Sequence, residues 1–374
     1  MAGDARKFNT PCRSVLICGA YGAGNLGDEA ILKSIIAALR GIDPDISLCV
    51  VTREPEMTRR SYGVSAVHTF DFPGIIAATK KAELYISGGG SLIQNVTSRR
   101  SLYYYLALLR LAKRCGCKTL LYGSGIGPLS GKSDIDRTAH VLSTCVDAIC
   151  LRDEMSAHLL ESIGVTEPEI ILSADPVFSL SACSEGEAAD FLSKSGIDPE
   201  GEYACFCLRP WQGSDEHLDA IAAAISYAHT QLGLTPVFMT LNRTLDLEAA
   251  QKAARAAGVA CVVLAPDSAE LCMGVMKKMK LVVSMRLHGV LLAAACCLPT
   301  VGVSYDPKVA GFLSYTECGE CVEFDKLTRD ALTGCMKREL SRTDAAERRQ
   351  RIEKIKAVES LNAQTAARLL KAKG

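Results

Sequence analysis

The stretch VLICGAYGAGNLGDEAIL, residues 15–32, passes from an apolar run through a glycine-rich turn into a helical pattern. Gly22, Gly24 and Gly27 satisfy the GxGxxG spacing of a dinucleotide site, in the strand–turn–helix context that such a site needs. Asp28 and Glu29 follow the last glycine at once. Carboxylates there suit the positive end of a helix but repel a pyrophosphate placed on the same amides. The acid expected at the end of the second strand is also ambiguous, because Arg53 precedes Glu54. The stretch therefore reads less as a nicotinamide site than as a tight βα turn, either one that only starts a charge-capped helix or one that sets Asn25 and Asp28 to meet sugar hydroxyls.

Outward from this turn the same grammar repeats. Val15–Ala20, Ile46–Val51, Leu84–Ser87, Thr119–Gly123, Ala148–Leu151 and Ile170–Ala174 are short apolar runs, as expected of parallel strands covered on both faces. Helical patterns lie between them, notably Asp28–Arg40, Ser101–Cys115 and Asp153–Ile163. A second series follows a polar stretch from Ser181 to Glu202: Tyr203–Leu208, Pro236–Leu241, Cys261–Leu264, Leu281–Ser284 and Val301–Ser304. The alternation predicts an α/β protein with two Rossmann-like parallel-sheet domains. Their expected spans are 1–185 and 186–328, with a polar leader from Met1 to Arg13 and a charged helical segment over 329–374. By analogy with other two-domain proteins, that segment crosses back to the first domain.

The 374 residues suit two ordinary domains, and 48% hydrophobic with 22% charged residues is the mixture of a folded protein. Lys+Arg and Asp+Glu balance at 42 each, so no overall field recruits nucleic acid. The 17 cysteines are odd in number and many fall in apolar runs, which suits free thiols in a reducing cytoplasm. Cys318 and Cys321 form a CxxC without a second metal-binding pair. No metal or cofactor is expected. No apolar run reaches transmembrane length, so any membrane contact is expected to be peripheral, with Arg338, Arg342, Arg348, Arg349 and Arg351 as the cationic candidates.

Other motifs follow strand ends. SGGGSLIQNVTSRRSLYYY, residues 87–105, reads as a glycine loop in which Gly89, Gly90, Ser91 and Gln94 offer hydrogen-bonding groups to a carbohydrate. GSGIGP at 123–128, Arg152-Asp153 and Asp175-Pro176 also follow strand ends, where turn chemistry competes with ligand contact. In the second half Arg209, Arg286, His288 and Lys308 all stand just beyond strands. Several cations in such positions suggest a pocket for a small, multiply charged anion. Two residues apart on an extended chain, Arg286 and His288 would face the same side.

The segments GNLGDEAIL (24–32), GGGSLIQ (88–94), GIGP (125–128), ADPVF (174–178), RPW (209–211), RLHG (286–289) and SYDPKV (304–309) together resemble the polysaccharide pyruvyltransferase family, especially its CsaB-type bacterial branch. The resemblance implies an architecture like the GT-B glycosyltransferases and transfer of a pyruvyl group from phosphoenolpyruvate to a sugar. In that branch the acceptor is N-acetylmannosamine of a lipid-linked cell-wall precursor, at the inner face of the cell membrane, and the ketal anchors S-layer proteins. On this basis Arg209, Arg286, His288 and Lys308 would bind the donor, and His288, Arg286 and Asp28 would act in catalysis. Asn25, Asp28, Gly89, Gly90, Ser91, Gln94 and Asp175 would meet the acceptor. A GT-B glycosyltransferase using a nucleotide sugar is the alternative, and a non-catalytic sugar-binding protein a third class.

Overall fold

A computed structural model describes residues 13–211, 215–305 and 307–371. Most of the leader, Asp306 of the SYDPKV motif and residues 372–374 lie outside the described residues. Among the described residues thirteen strands form two wholly parallel sheets. In the first sheet are β1 (Ser14–Cys18), β2 (Ser47–Thr52), β3 (Ser65–His68), β4 (Leu84–Ile93), β5 (Lys118–Ile126), β6 (Ala148–Leu151) and β7 (Glu169–Leu172), in the order 3-2-1-4-5-6-7. In the second are β8 (Tyr203–Cys207), β9 (Thr235–Met239), β10 (Val263–Leu264), β11 (Leu281–Ser284), β12 (Thr300–Ser304) and β13 (Glu320–Glu323), in the order 10-9-8-11-12-13. Both orders reverse direction once, between β1 and β4 and between β8 and β11. Open α/β sheets receive ligands at such points, beyond the carboxyl ends of the strands.

The chain divides into two compact units. The first takes in the described parts of Met1–Ala23, Leu32–Ser173 and Ser360–Gly374, and the second takes in Gly24–Ile31 and Ala174–Glu359. This departs from the expected spans in three places. Residues 24–31 and 174–185, expected with the first half, belong with the second unit. The long helix Ala345–Lys371 is counted with the second unit as far as Glu359 and with the first from Ser360.

Burial explains the apolar runs. β1, β6, β8 and β12 are buried almost throughout, since helices cover both faces. The core on one side of the first sheet gathers Leu16, Tyr85, Leu106, Leu109, Leu121 and Leu142. In the second unit Phe206, Ile225, Phe238, Val283 and Met336 meet in a comparable core. The sixteen cysteines among the described residues are all free thiols. Burial pushes Cys18 up to about 12, and burial likewise raises Cys296 to about 12.

The glycine stretch after Leu84–Ser87 is not a loop. β4 runs on through Gly88–Ile93, pairing Gly88 with Tyr122 and Gly90 with Ser124, with an irregularity before Ile93. Leu92 and Ile93 join the core, which fixes this end of the strand in place. β5 likewise absorbs residues 123–126. Both extensions run through glycines that pack into the sheet, where a ligand-facing glycine loop and a strand-end turn were expected.

In the first unit Asp134 links two helices. Arg99 Nε donates to its carboxylate at 2.9 Å, Tyr103 Oη at 2.6 Å and Asn95 Nδ2 at 3.0 Å. The Arg99 bond foremost, then Tyr103 and Asn95, hold this carboxyl below the ordinary range. A depressed folded-state pKa means the unfolded chain binds more protons in the window between the two values, so stability rises with pH there. The contribution is complete above the ordinary Asp value of about 4 and is lost as pH falls below it. Asp134→Asn should therefore lower the thermal midpoint at pH 7 and shrink the drop in midpoint between pH 5 and pH 3; an unchanged pH dependence would remove Asp134 from acid stability.

Candidate functional site

The β1/β4 switch point of the first unit is filled by protein. Tyr21 is 1% exposed and its hydroxyl donates to the Gly88 carbonyl at 2.9 Å. A methyl group on Gly19 would overlap its ring, and one on Gly88 its hydroxyl. The space that a pyrophosphate would need beside these strand ends holds a tyrosine, which gives a steric reason to add to the charge argument against a dinucleotide. Tyr21→Ala should cost about 3–5 kcal/mol in stability by leaving a cavity; a midpoint within error of the wild type would show that the crevice collapses freely.

Nearby in the same unit, the Arg152 guanidinium donates to Ser91 Oγ at 3.1 Å, with Gly125 close against both. The Arg152 side chain is only 6% exposed. Gln94 Oε1 accepts from the Thr97 amide at 3.0 Å, and Gly89 and Gly90 are buried within β4. Among the residues expected to meet a sugar here, Ser91 and Gln94 thus already have protein partners, and the two glycines are sheet backbone.

The second unit assembles most of the remaining residues. β8 and β11 pair Cys207 with Ser284, so Arg209 and Arg286 each stand two residues beyond neighbouring strand ends at its switch point. β12 pairs with the other side of β11, and Lys308 follows it as the second residue of helix Pro307–Thr316. Arg209 lies over the Tyr305 ring, 4.2 Å from its centroid, and donates to the Tyr305 hydroxyl.

Arg286 and His288 do not face the same side. The helix Leu287–Ala295 starts between them, so the chain turns by about 100° per residue instead of alternating. Arg286 caps that helix and directs its guanidinium to Asp246, with Nε 3.1 Å from Oδ1 and Nη2 on the same oxygen. The other Asp246 oxygen accepts from the amides of Leu241 and Asn242 at 3.0 and 2.9 Å. Asp246, 1% exposed, was not anticipated; in sequence it is an acid in the first turn of helix Arg243–Ala257, an ordinary match to the helix dipole.

His288 instead faces Asp175. Its Nε2 lies 4.0 Å from Asp175 Oδ2, and the two side chains are 13% and 2% exposed. Asp175 also accepts from the Val177 amide at 3.1 Å and caps the short turn Pro176–Ser179. Asp175, expected as a sugar contact, thus stands beside the His288 ring at a separation longer than a hydrogen bond.

The first glycine turn completes the group. Leu26 donates its amide to the Leu241 carbonyl at 2.8 Å, and Asn25 bridges to Asn242. Asn25 Oδ1 accepts from the Gly27 amide at 3.1 Å, and Asn25 Nδ2 donates to Asp28 at 2.7 Å. Gly27 packs directly on the His288 ring, and a methyl group there would overlap Cγ and Nδ1. The expected first-half residues Asn25 and Asp28 therefore stand in the same unit as His288, Asp175 and Arg286.

A model of the polysaccharide pyruvyl transferase family matches residues 25–307, most of the chain and every residue of this group except Lys308. The chain belongs to that family. The family is one of transferases acting in polysaccharide synthesis. Among curated proteins, the amylovoran biosynthesis protein AmsJ of Erwinia amylovora is 24% identical over 205 residues, covering 44% of this chain and 48% of AmsJ. The chain thus spans about half the length of that relative. Among solved structures, UDP-GlcNAc 2-epimerase from Methanocaldococcus jannaschii aligns with a TM-score of 0.63 at 12% identity, covering 88% of this chain and 93% of the epimerase. Anabaena HepE in complex with UDP-glucose aligns with a TM-score of 0.61 at 10% identity, covering 96% and 98%. At such identities the likeness is one of fold, that of the GT-B glycosyltransferases and related epimerases, as the family resemblance implied.

If the Gly27 approach sets the ring position of His288, Gly27→Ala should cut turnover by about 10²-fold, the scale of misplacing a catalytic group by an ångström. Turnover per folded molecule equal to the wild type would show that the ring position is immaterial.

Proposed function

We propose that the chain transfers a pyruvyl group from phosphoenolpyruvate to two hydroxyls of a sugar, forming a cyclic ketal and releasing phosphate. The observation that supports this best is the His288–Asp175 pair at the β8/β11 switch point, flanked by the cation-bearing ends of β8 and β12. An enol phosphate needs a proton on its methylene carbon, attack by one hydroxyl at the central carbon and departure of phosphate, after which the second hydroxyl closes the ring. Of the two hydroxyl protons, one balances that gained by the methyl group and the other leaves with phosphate.

In this reading His288 moves a proton to the methylene carbon or to the departing phosphate, and Asp175 stabilises its charged form. Arg209 and Lys308 take the donor's carboxylate and phosphate. Arg286, held in place by Asp246, remains a proposed donor contact at the head of helix Leu287–Ala295, whose first-turn amides suit an anion. Asp28 is the candidate base for the acceptor, with Asn25 holding its carboxylate. Ser91 and Gln94, with the backbone of Gly89 and Gly90, remain the proposed acceptor contacts of the first unit. The CsaB-type resemblance points to a lipid-linked N-acetylmannosamine as that acceptor and to S-layer anchoring as the product's use.

Phosphoenolpyruvate should raise the thermal midpoint while UDP-sugars do not, since a ligand that binds only the folded state stabilises it. Protection by UDP-sugars alone would favour a nucleotide-sugar transferase. His288→Ala should lower turnover by about 10²–10⁴-fold. Near-normal turnover per folded molecule in that variant would end the catalytic assignment.

A further inference from the structure

The helix expected to supply cations to a membrane spends them elsewhere. Arg348 is 4% exposed and pairs with Glu339 at 3.0 Å; Arg342 pairs with Glu339 at 2.9 Å; Arg351 pairs with Glu317 at 3.2 Å and Asp344 at 3.3 Å. Arg338 pairs with Glu320 at 2.8 Å. Their alternation with acids ties this region to itself.

A different surface carries the features that arrangement lacks. Phe70, Phe72 and Ile76 fall within seven residues of the first unit and are 64%, 53% and 39% exposed. Phe70 sits in the turn after β3, at the carboxyl edge of the sheet, and Phe72 opens the helix Phe72–Lys81. The turn is fixed from within: Tyr104 Oη donates to the Thr69 carbonyl at 2.9 Å, and the Phe70 ring meets His68 edge-on at 5.7 Å. Along the helix, residues four apart share a face. One outer row is Phe72, Ile76 and Lys80; the next is Pro73, Ala77 and Lys81, and all six are exposed. The opposite side, Ile75 and Thr79, is 1% exposed and faces the core.

The outer face is thus apolar at its first two turns and cationic at its last. The carboxylate of Asp71, the acid beside the apolar tip, caps the helix by accepting from the Gly74 amide at 3.0 Å. We infer that this face docks on an anionic lipid bilayer, with Phe70, Phe72 and Ile76 entering the headgroup boundary and Lys80 and Lys81 reaching lipid phosphates. Lysine stems let an ammonium about 12 Å along the helix from the tip stay at headgroup level. The paired lysines at the rim complement an anionic surface.

Co-sedimentation of the full chain with phosphatidylglycerol-rich vesicles tests this, and since the assay holds neither donor nor acceptor, its failure would leave the transfer reading intact. The wild type should bind these vesicles and bind phosphatidylcholine vesicles far less. The triple variant Phe70→Ser, Phe72→Ser, Ile76→Ser should lose at least about tenfold in bound fraction, with an unchanged response of the thermal midpoint to phosphoenolpyruvate. Lys80→Glu with Lys81→Glu should lose a similar factor, and serves if the triple variant does not fold. Absence of wild-type binding, or equal binding by the variants, would overturn the inference. So would a wild-type dimer in analytical ultracentrifugation that the triple variant abolishes, which would make the face a self-association surface.

Discussion

The ring of His288 lies against the first turn of helix Leu26–Ile42 only because residue 27 has no side chain. That close approach is the constraint around which the candidate site is arranged. The amide of Leu26, one residue away, is pinned to the Leu241 carbonyl, and Leu241 is held in turn by a carboxylate oxygen of Asp246. The other oxygen of Asp246 takes the Arg286 fork, two residues from His288. One buried carboxylate and one missing methyl group therefore set the positions of an arginine, a histidine and a helix start that lie far apart in the chain. Such a set costs little reorganisation when a charged ligand arrives, which is the property that electrostatic stabilisation requires.

Much of the fold was legible because parallel strands buried on both faces leave continuous apolar runs. The runs missed were β3 and β13, both sheet edges and both four residues long with polar or charged residues, SAVH and ECVE. Edge strands lack the second covering layer that makes a run apolar, so little signal exists to find them. The glycines at 88–90 misled in the other direction. Glycine marks a loop as often as a place where a neighbouring group must press on a strand, and here the neighbour of Gly88 is the Tyr21 hydroxyl, 67 residues away.

The site was legible as a list and not as a geometry. Strand-end positions of Arg209, Arg286, His288 and Lys308 could be counted off the sequence, and the pairing of β8, β11 and β12 puts those ends side by side. Whether Arg286 and His288 point together depended on the residue at which a helix begins, and a boundary shift of one or two residues reverses the answer. Asp246 was invisible for a related reason. An acid in a first helical turn has an ordinary explanation, and its second task appears only when another strand end delivers an arginine to it.

The thiols carry a consequence for how the protein ages. At a pKa of about 12, as for Cys18 and Cys296, only about one molecule in 10⁵ is a thiolate at neutral pH, and the thiolate is the form that oxidants and disulfides attack. A chain with 17 cysteines would ordinarily be expected to cross-link in air. Among the described residues burial makes small apolar fillers of Cys18, Cys150, Cys205 and Cys207, all within strands, whereas Cys261 is exposed. Oxidation of the strand thiols must wait for local opening of the sheets, so the rate at which those four react becomes a clock for how often each sheet opens, set by packing and not by the chemistry of sulfur.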